Sequence, residues 1–132
     1  MKFIVRPDLE FASRWLFAGL ALMSVVMMVS LLPIRPGKLE VAYVDKVMHL
    51  IVFMGLMVFF CGFVEVQLRW LLVLFLLACG GLIEVLQIPV PGRAAEAADL
   101  TADMVGIMLG WLLAIKWLGN WTIWVENRRI RS

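Results

Sequence analysis

The chain has 132 residues, 64% of them hydrophobic, with a mean hydropathy of +0.97 and a formal net charge of +2. Soluble domains are about 45–50% apolar, and a chain this short has too little interior to hide so much apolar surface from water. An ordinary water-soluble domain is excluded, and the near-neutral charge excludes the basic footprint of a nucleic-acid binder.

The first apolar run, Trp15–Leu32, is closed by Pro33 and Pro36. It is long for a secretory signal core, and LPIRPGK follows it instead of a small-x-small cleavage site, so it is expected to stay as a membrane anchor. The second run is Asp45–Val64, apolar from Val47 onward except for His49. The short link 65-EVQLR-69 makes a tight hairpin to the third, Trp70–Ile88, which Pro89 and Pro91 end. The fourth is Leu100–Leu118. Each approaches the ~20 residues a helix needs to cross a bilayer, and helices satisfy their own backbone in lipid. The expected fold is therefore an all-α membrane protein with four transmembrane helices, residues 1–132 forming a single membrane domain. Cys61 and Cys79 both lie inside apolar runs at no metal-ligand or redox spacing, and they read as small packing residues.

The tail, 116-KWLGNWTIWVENRRIRS-132, sets Trp117, Trp121 and Trp124 at helical spacing ahead of several arginines. It reads as an interfacial helix with indoles at headgroup level. Four spans put both termini on one side. That side holds Lys2, Arg6, Arg14, Arg69, Lys116, Arg128, Arg129 and Arg131, against Arg35, Lys38, Lys46 and Arg93 on the other. Eight cations against four favour cytoplasmic termini in a bacterial inner membrane, with loops 33–45 and 89–99 facing outward.

On this topology the intramembrane polar residues converge. Asp45, Lys46 and His49 open the second span, with Asp45 and His49 one turn apart on one face. Glu84 and Gln87 share a face at the end of the third, Arg93 lies in the following loop, and Asp99 and Asp103 open the fourth. Three helices bring these groups to within about two turns of one membrane surface. The opposite end shows only Glu65, Gln67 and Arg69, in a turn expected to be open to water. Gly106 and Gly110 continue the Asp99–Asp103 stripe, and Gly80 and Gly81 precede Glu84, so the acidic face is expected to be the packed one. Charges at such depth are expensive and are functional candidates.

With these residues the stretch from about Asp45 to Gly110 resembles the VanZ-like family of small bacterial membrane proteins. The elements are 45-DKVMH-49, 84-EVLQ-87, Arg93 and 99-DLTADMVGIMLG-110. They match D-K-x-x-H, E-x-x-Q, R and D-x-x-x-N-x-x-G-x-x-x-G in order and spacing. Three positions depart: Phe53 where the family often has Tyr, Asp103 where Asn is frequent, and Glu96 where a small hydroxyl residue is common. The resemblance implies a multi-helix envelope protein, and the founding member is associated with low-level resistance to the glycopeptide teicoplanin.

The polar set, Asp45, Lys46, His49, Glu84, Gln87, Arg93, Asp99 and Asp103, admits several roles. Lys46 and Arg93 could neutralise the acids and lock the helices together, at a desolvation cost that apolar packing would avoid. They could instead grip the phosphate of an envelope lipid or undecaprenyl-linked precursor, Arg93 in bidentate fashion. In a catalytic version His49 and Glu84 exchange a proton, or Asp45, His49, Glu84 and Asp99 hold a divalent ion, for which Mg²⁺ and Mn²⁺ are the candidates. Transport is the weakest reading, since the chain lacks paired repeats, although a homo-oligomer would leave it open. The expectation carried forward is binding, with modification as an open extension, of an anionic envelope lipid.

Overall fold

Proline and glycine punctuate the apolar runs, and the helices stop where they stand. The computed structural model describes residues 4–33, 40–93 and 95–130. Helix α1 spans Ala12–Ser30, ahead of Pro33, and α2 spans Glu40–Cys61, ahead of Gly62. A 3₁₀ turn, Val66–Leu68, leads into α3, Arg69–Gln87, which ends before Pro89. Helix α4, Ala97–Leu113, widens into a π turn over Ala114–Leu118, and α5 covers Trp121–Ile130. Among the described residues no strand forms; Val5 and Val64 make one isolated antiparallel bridge.

Four stretches are long and apolar enough to cross a membrane: Ala12–Ser30, Tyr43–Cys61, Val66–Gln87 and Ala97–Leu118. These are the four expected spans, displaced by a few residues. Helix α2 itself begins at Glu40, five residues ahead of Asp45, where neither proline nor glycine interrupts residues 40–54. The expected stops and charges at Pro36, Lys2, Arg35, Lys38 and Arg131 lie outside the described residues. Large apolar side chains face outward as they would toward acyl chains; Phe17 is 75% exposed and Ile88 64%. The chain is a multi-pass membrane protein.

Helices α2 and α4 form the closest pair. A Cβ at Gly106 would collide with the carbonyl of Leu50, and one at Gly110 would lie 2.5 Å from the carbonyl of Met54, so the two backbones meet along this stripe. The core beneath is Phe53, Met57, Phe60, Phe63, Leu76, Ile83 and Ile107. Cys61 is buried and Cys79 half-buried, both as free thiols. Helix α1 is the least embedded, with only Gly19 and Met23 buried along it.

The tail departs from expectation in its details. The chain turns at Gly119–Asn120, so Trp117 belongs to the π turn that follows α4 and does not continue the stripe of Trp121 and Trp124. Trp117 and Trp124 are exposed, but Trp121 turns inward. It packs edge-on against Trp15 at 5.0 Å, and its Nε1 lies 3.3 Å from the carbonyls of Val58 and Phe59. Thr122 donates to the Gly62 carbonyl, and Glu126 accepts from the backbone N–H groups of Glu10 and Phe11 and from Trp15 Nε1. The helix therefore caps the start of α1.

The opposite end, expected to hold only Glu65, Gln67 and Arg69 in a water-exposed turn, thus has its own buried polar network. Arg69, expected in water, is 6% exposed and donates through Nη2 to the Cys61 carbonyl at 2.9 Å, capping α2. The members of this network come from both chain ends and the middle of the chain and meet only in three dimensions, so no single stretch of sequence reveals it.

Candidate functional site

Helix ends position the site. Asp45, Lys46 and His49 occupy the second and third turns of α2, and Glu84 and Gln87 the last turn of α3. The chain then reverses: Val90 N–H donates to the Gln87 carbonyl, Arg93 N–H donates to the Val90 carbonyl, and Gly92 takes φ 79°. That left-handed conformation suits glycine and returns Arg93 over the bundle. Asp99 lies in the first turn of α4, where a carboxylate favours the helix dipole, and Asp103 is one turn below it.

The structure brings all eight expected residues to this end. His49 Nδ1 lies 2.9 Å from Asp103 Oδ1, with His49 7% exposed and Asp103 wholly buried. Arg93 Nη1 donates to both oxygens of Asp45, at 2.8 and 2.9 Å. Lys46 Nζ pairs with Asp99 Oδ1 at 3.0 Å and with Glu96 Oε2 at 2.5 Å. Glu84 Oε2 accepts from the Glu96 backbone N–H at 2.7 Å. Asp45 and His49 share a face as their spacing required, but the hydrogen-bond partner of His49 is Asp103 on the neighbouring helix.

Gln87 reaches elsewhere. Its Nε2 donates to the Ser30 carbonyl at 2.8 Å, and Arg93 Nε donates to the Leu32 carbonyl at 3.4 Å. Both contacts tie the end of α1 to the site, so a fourth helix joins the three expected. Between α1 and α2 lies a cavity of about 290 Å³. Its walls are Val25, Val26, Val29, Met48, Val52 and Phe53, and its polar end carries Ser30, Asp45, His49 and Arg93. The valines of α1 were missed because nothing in the sequence separates them from ordinary lipid-facing residues.

Two buried carboxylate oxygens, Glu84 Oε1 and Asp103 Oδ2, have no hydrogen-bond partner among the described residues. Asp103 Oδ2 stands where a side chain on Gly80 would be, which explains a glycine there; nothing lies within 4 Å of a Cβ at Gly81. Donor atoms of Asp45, His49 and Asp99 lie within 4.8 Å of one another, a spacing compatible with one metal ion; Glu84, expected among the metal ligands, falls outside that group.

Two of the three family departures contribute directly. Glu96 supplies the second carboxylate on Lys46, and Asp103 supplies the one on His49. Phe53 stacks nearly parallel to the His49 ring, at 9° and 6.4 Å. A family model described as VanZ/LLP1 matches residues 7–119 of the chain. No curated protein and no solved structure matches it.

Proposed function

We propose that this chain, which belongs to the VanZ/LLP1 family, takes the head of an anionic envelope lipid into the cavity between α1 and α2. The observation that carries the reading is the cavity's division into an aliphatic wall and a polar end. A slot of about 290 Å³ is at the small end of ligand pockets. It suits a phosphate and the first carbons of a tail whose remainder stays in the bilayer. Arg93 supplies the grip: Nη1 is engaged by Asp45 and Nε by Leu32, while Nη2 has no partner among the described residues. A guanidinium held this way is pre-oriented for a phosphate oxygen. Undecaprenyl-linked phosphates and pyrophosphates are the ligand class we assign, met at the outer face of the inner membrane if the termini are cytoplasmic. Modification of the bound lipid is an extension of this reading, with His49 and Glu84 as the proton-exchanging residues.

A second reading rests on the ion pairs themselves. Arg93–Asp45 and Lys46–Asp99 join α2 to the α3–α4 loop and to α4, so the cluster also works as a helix lock. Native mass spectrometry of gently purified protein separates the two. For lipid binding, Val26→Phe, which fills the cavity without touching an ion pair, lowers co-purified anionic lipid several-fold at an unchanged melting temperature. Arg93→Lys does the same while keeping the charge on Asp45. Unchanged lipid retention in both variants would leave only the lock.

A further inference from the structure

We propose that His49, Asp45 and Asp99 form a divalent-metal site whose open coordination positions face the cavity. The donor atoms lie within 4.8 Å of one another, a spacing one ion at about 2.0–2.2 Å from each ligand closes with small side-chain rotations.

Each of the three donors also has a residue standing behind it. Metal-ligating histidines commonly give their second ring nitrogen to a carboxylate, and ligating carboxylates are themselves hydrogen-bonded. Here Asp103 Oδ1 holds His49 Nδ1 at 2.9 Å, Arg93 holds Asp45, and Lys46 holds Asp99 at 3.0 Å. All three donors are backed by a different residue. A carboxylate has about four lone-pair directions, so the partners of Asp45 and Asp99 leave room for an ion.

His49 supplies an independent sign. With Nδ1 engaged by Asp103, Nε2 is the nitrogen left, and it has no hydrogen-bond partner among the described residues. It belongs to a ring only 7% exposed that lines the cavity. The Phe53 ring lies nearly parallel to it, with centroids 6.4 Å apart.

Charge balance points the same way. Among the described residues the cluster holds five carboxylates, Asp45, Glu84, Glu96, Asp99 and Asp103, against the cations Lys46 and Arg93. Buried carboxylates at such depth are costly, and a divalent ion offsets part of that cost. The nearby Glu84 Oε1 has no hydrogen-bond partner among the described residues, on a residue 7% exposed. One imidazole and two carboxylates suit Mn²⁺ or a similar first-row ion.

The site goes beyond the lipid reading and stands without it, so the test uses protein stripped of lipid in detergent. After chelation and dialysis against Mn²⁺, the wild-type chain should hold one ion, with ¹⁴N modulation from a coordinated imidazole in pulsed electron paramagnetic resonance. His49→Gln, which keeps side-chain bulk, should abolish the modulation and weaken binding at least tenfold. Asp103→Asn acts through His49 and should weaken it roughly 10- to 100-fold. Helix content by circular dichroism verifies folding of each variant. No stoichiometric Mn²⁺ on the folded wild-type chain at about millimolar ion, or an unchanged nitrogen signal in folded His49→Gln, would overturn the proposal. Metal uptake without lipid retention would sink the lipid reading and leave this one standing.

Discussion

Asp103 is wholly buried, is hydrogen-bonded to His49 through Oδ1, and sets Oδ2 against Gly80 with no hydrogen-bond partner among the described residues. Three substitutions separate its shape from its charge. Asp103→Ala leaves the buried His49 Nδ1 without its hydrogen-bond partner and should cost about 1–3 kcal/mol. Asp103→Asn keeps an oxygen for His49 and puts an amide where Oδ2 is unsatisfied. Its stability should stay within about 1 kcal/mol of wild type, while metal uptake falls. Gly80→Ala drives a methyl into Oδ2 and should disturb the His49 contact with Asp103 itself unchanged. Urea or SDS unfolding in mixed micelles checks all three; equal losses for Ala and Asn would show that the charge, and not the hydrogen bond, is what the fold uses. The sequence placed Asp45 and His49 on one face correctly, because helical spacing fixes that. It offered Glu84 as the residue exchanging a proton with His49, whereas the ring meets Asp103, 54 positions away, because several acids compete for the same ring.

Glycines decide which helices touch. Gly106 and Gly110 meet the backbone of α2, whereas among the described residues a Cβ at Gly55 or Gly81 has nothing within 4 Å. Gly106→Ala should therefore destabilise by about 1–3 kcal/mol, as overpacking does. Gly55→Ala and Gly81→Ala should be neutral or mildly stabilising, since alanine is the better helix former. Thermal melts of the three variants in one detergent check this, and an equally damaging Gly81→Ala would mean the α3 face is more crowded than the geometry shows. The spans and the Gly106–Gly110 stripe were legible because run length, proline stops and small-residue spacing follow directly from helix geometry. The part played by α1 was not legible. Its Val25, Val26 and Val29 read as lipid-facing, and only Gln87 and Arg93 reaching the carbonyls of Ser30 and Leu32 show that α1 closes the cavity. The tail was half legible: its helix was, but the turn at Gly119–Asn120 rotates Trp121 inward and breaks the indole stripe.

Across the whole molecule, polar networks occupy both ends of the bundle, and only the one built on α2, α3 and α4 was visible in the sequence. The other joins Glu126 to the start of α1 and Thr122 to the end of α2. His49 and Gly62 lie thirteen residues apart, so the networks are separated by about 20 Å of helix. If the packed core between them is one stiff body, their energies should add. Glu126→Ala strands two backbone donors and the Trp15 indole N–H, and should cost about 1–3 kcal/mol or more. Combined with Asp103→Ala, the loss should equal the sum of the single losses to within about 0.5 kcal/mol. Lys46→Ala with Asp99→Ala, two residues in direct contact at 3.0 Å, is the control that should depart from additivity by more than that. The measurement matters because α1 touches both ends: Trp15 donates to Glu126 at its base, and its Ser30 carbonyl accepts from Gln87 at its top. Additivity would make α1 a passive wall of the cavity. A coupling above about 1 kcal/mol between Asp103 and Glu126 would show instead that releasing its base alters the site, making α1 the element through which one membrane face reports to the other.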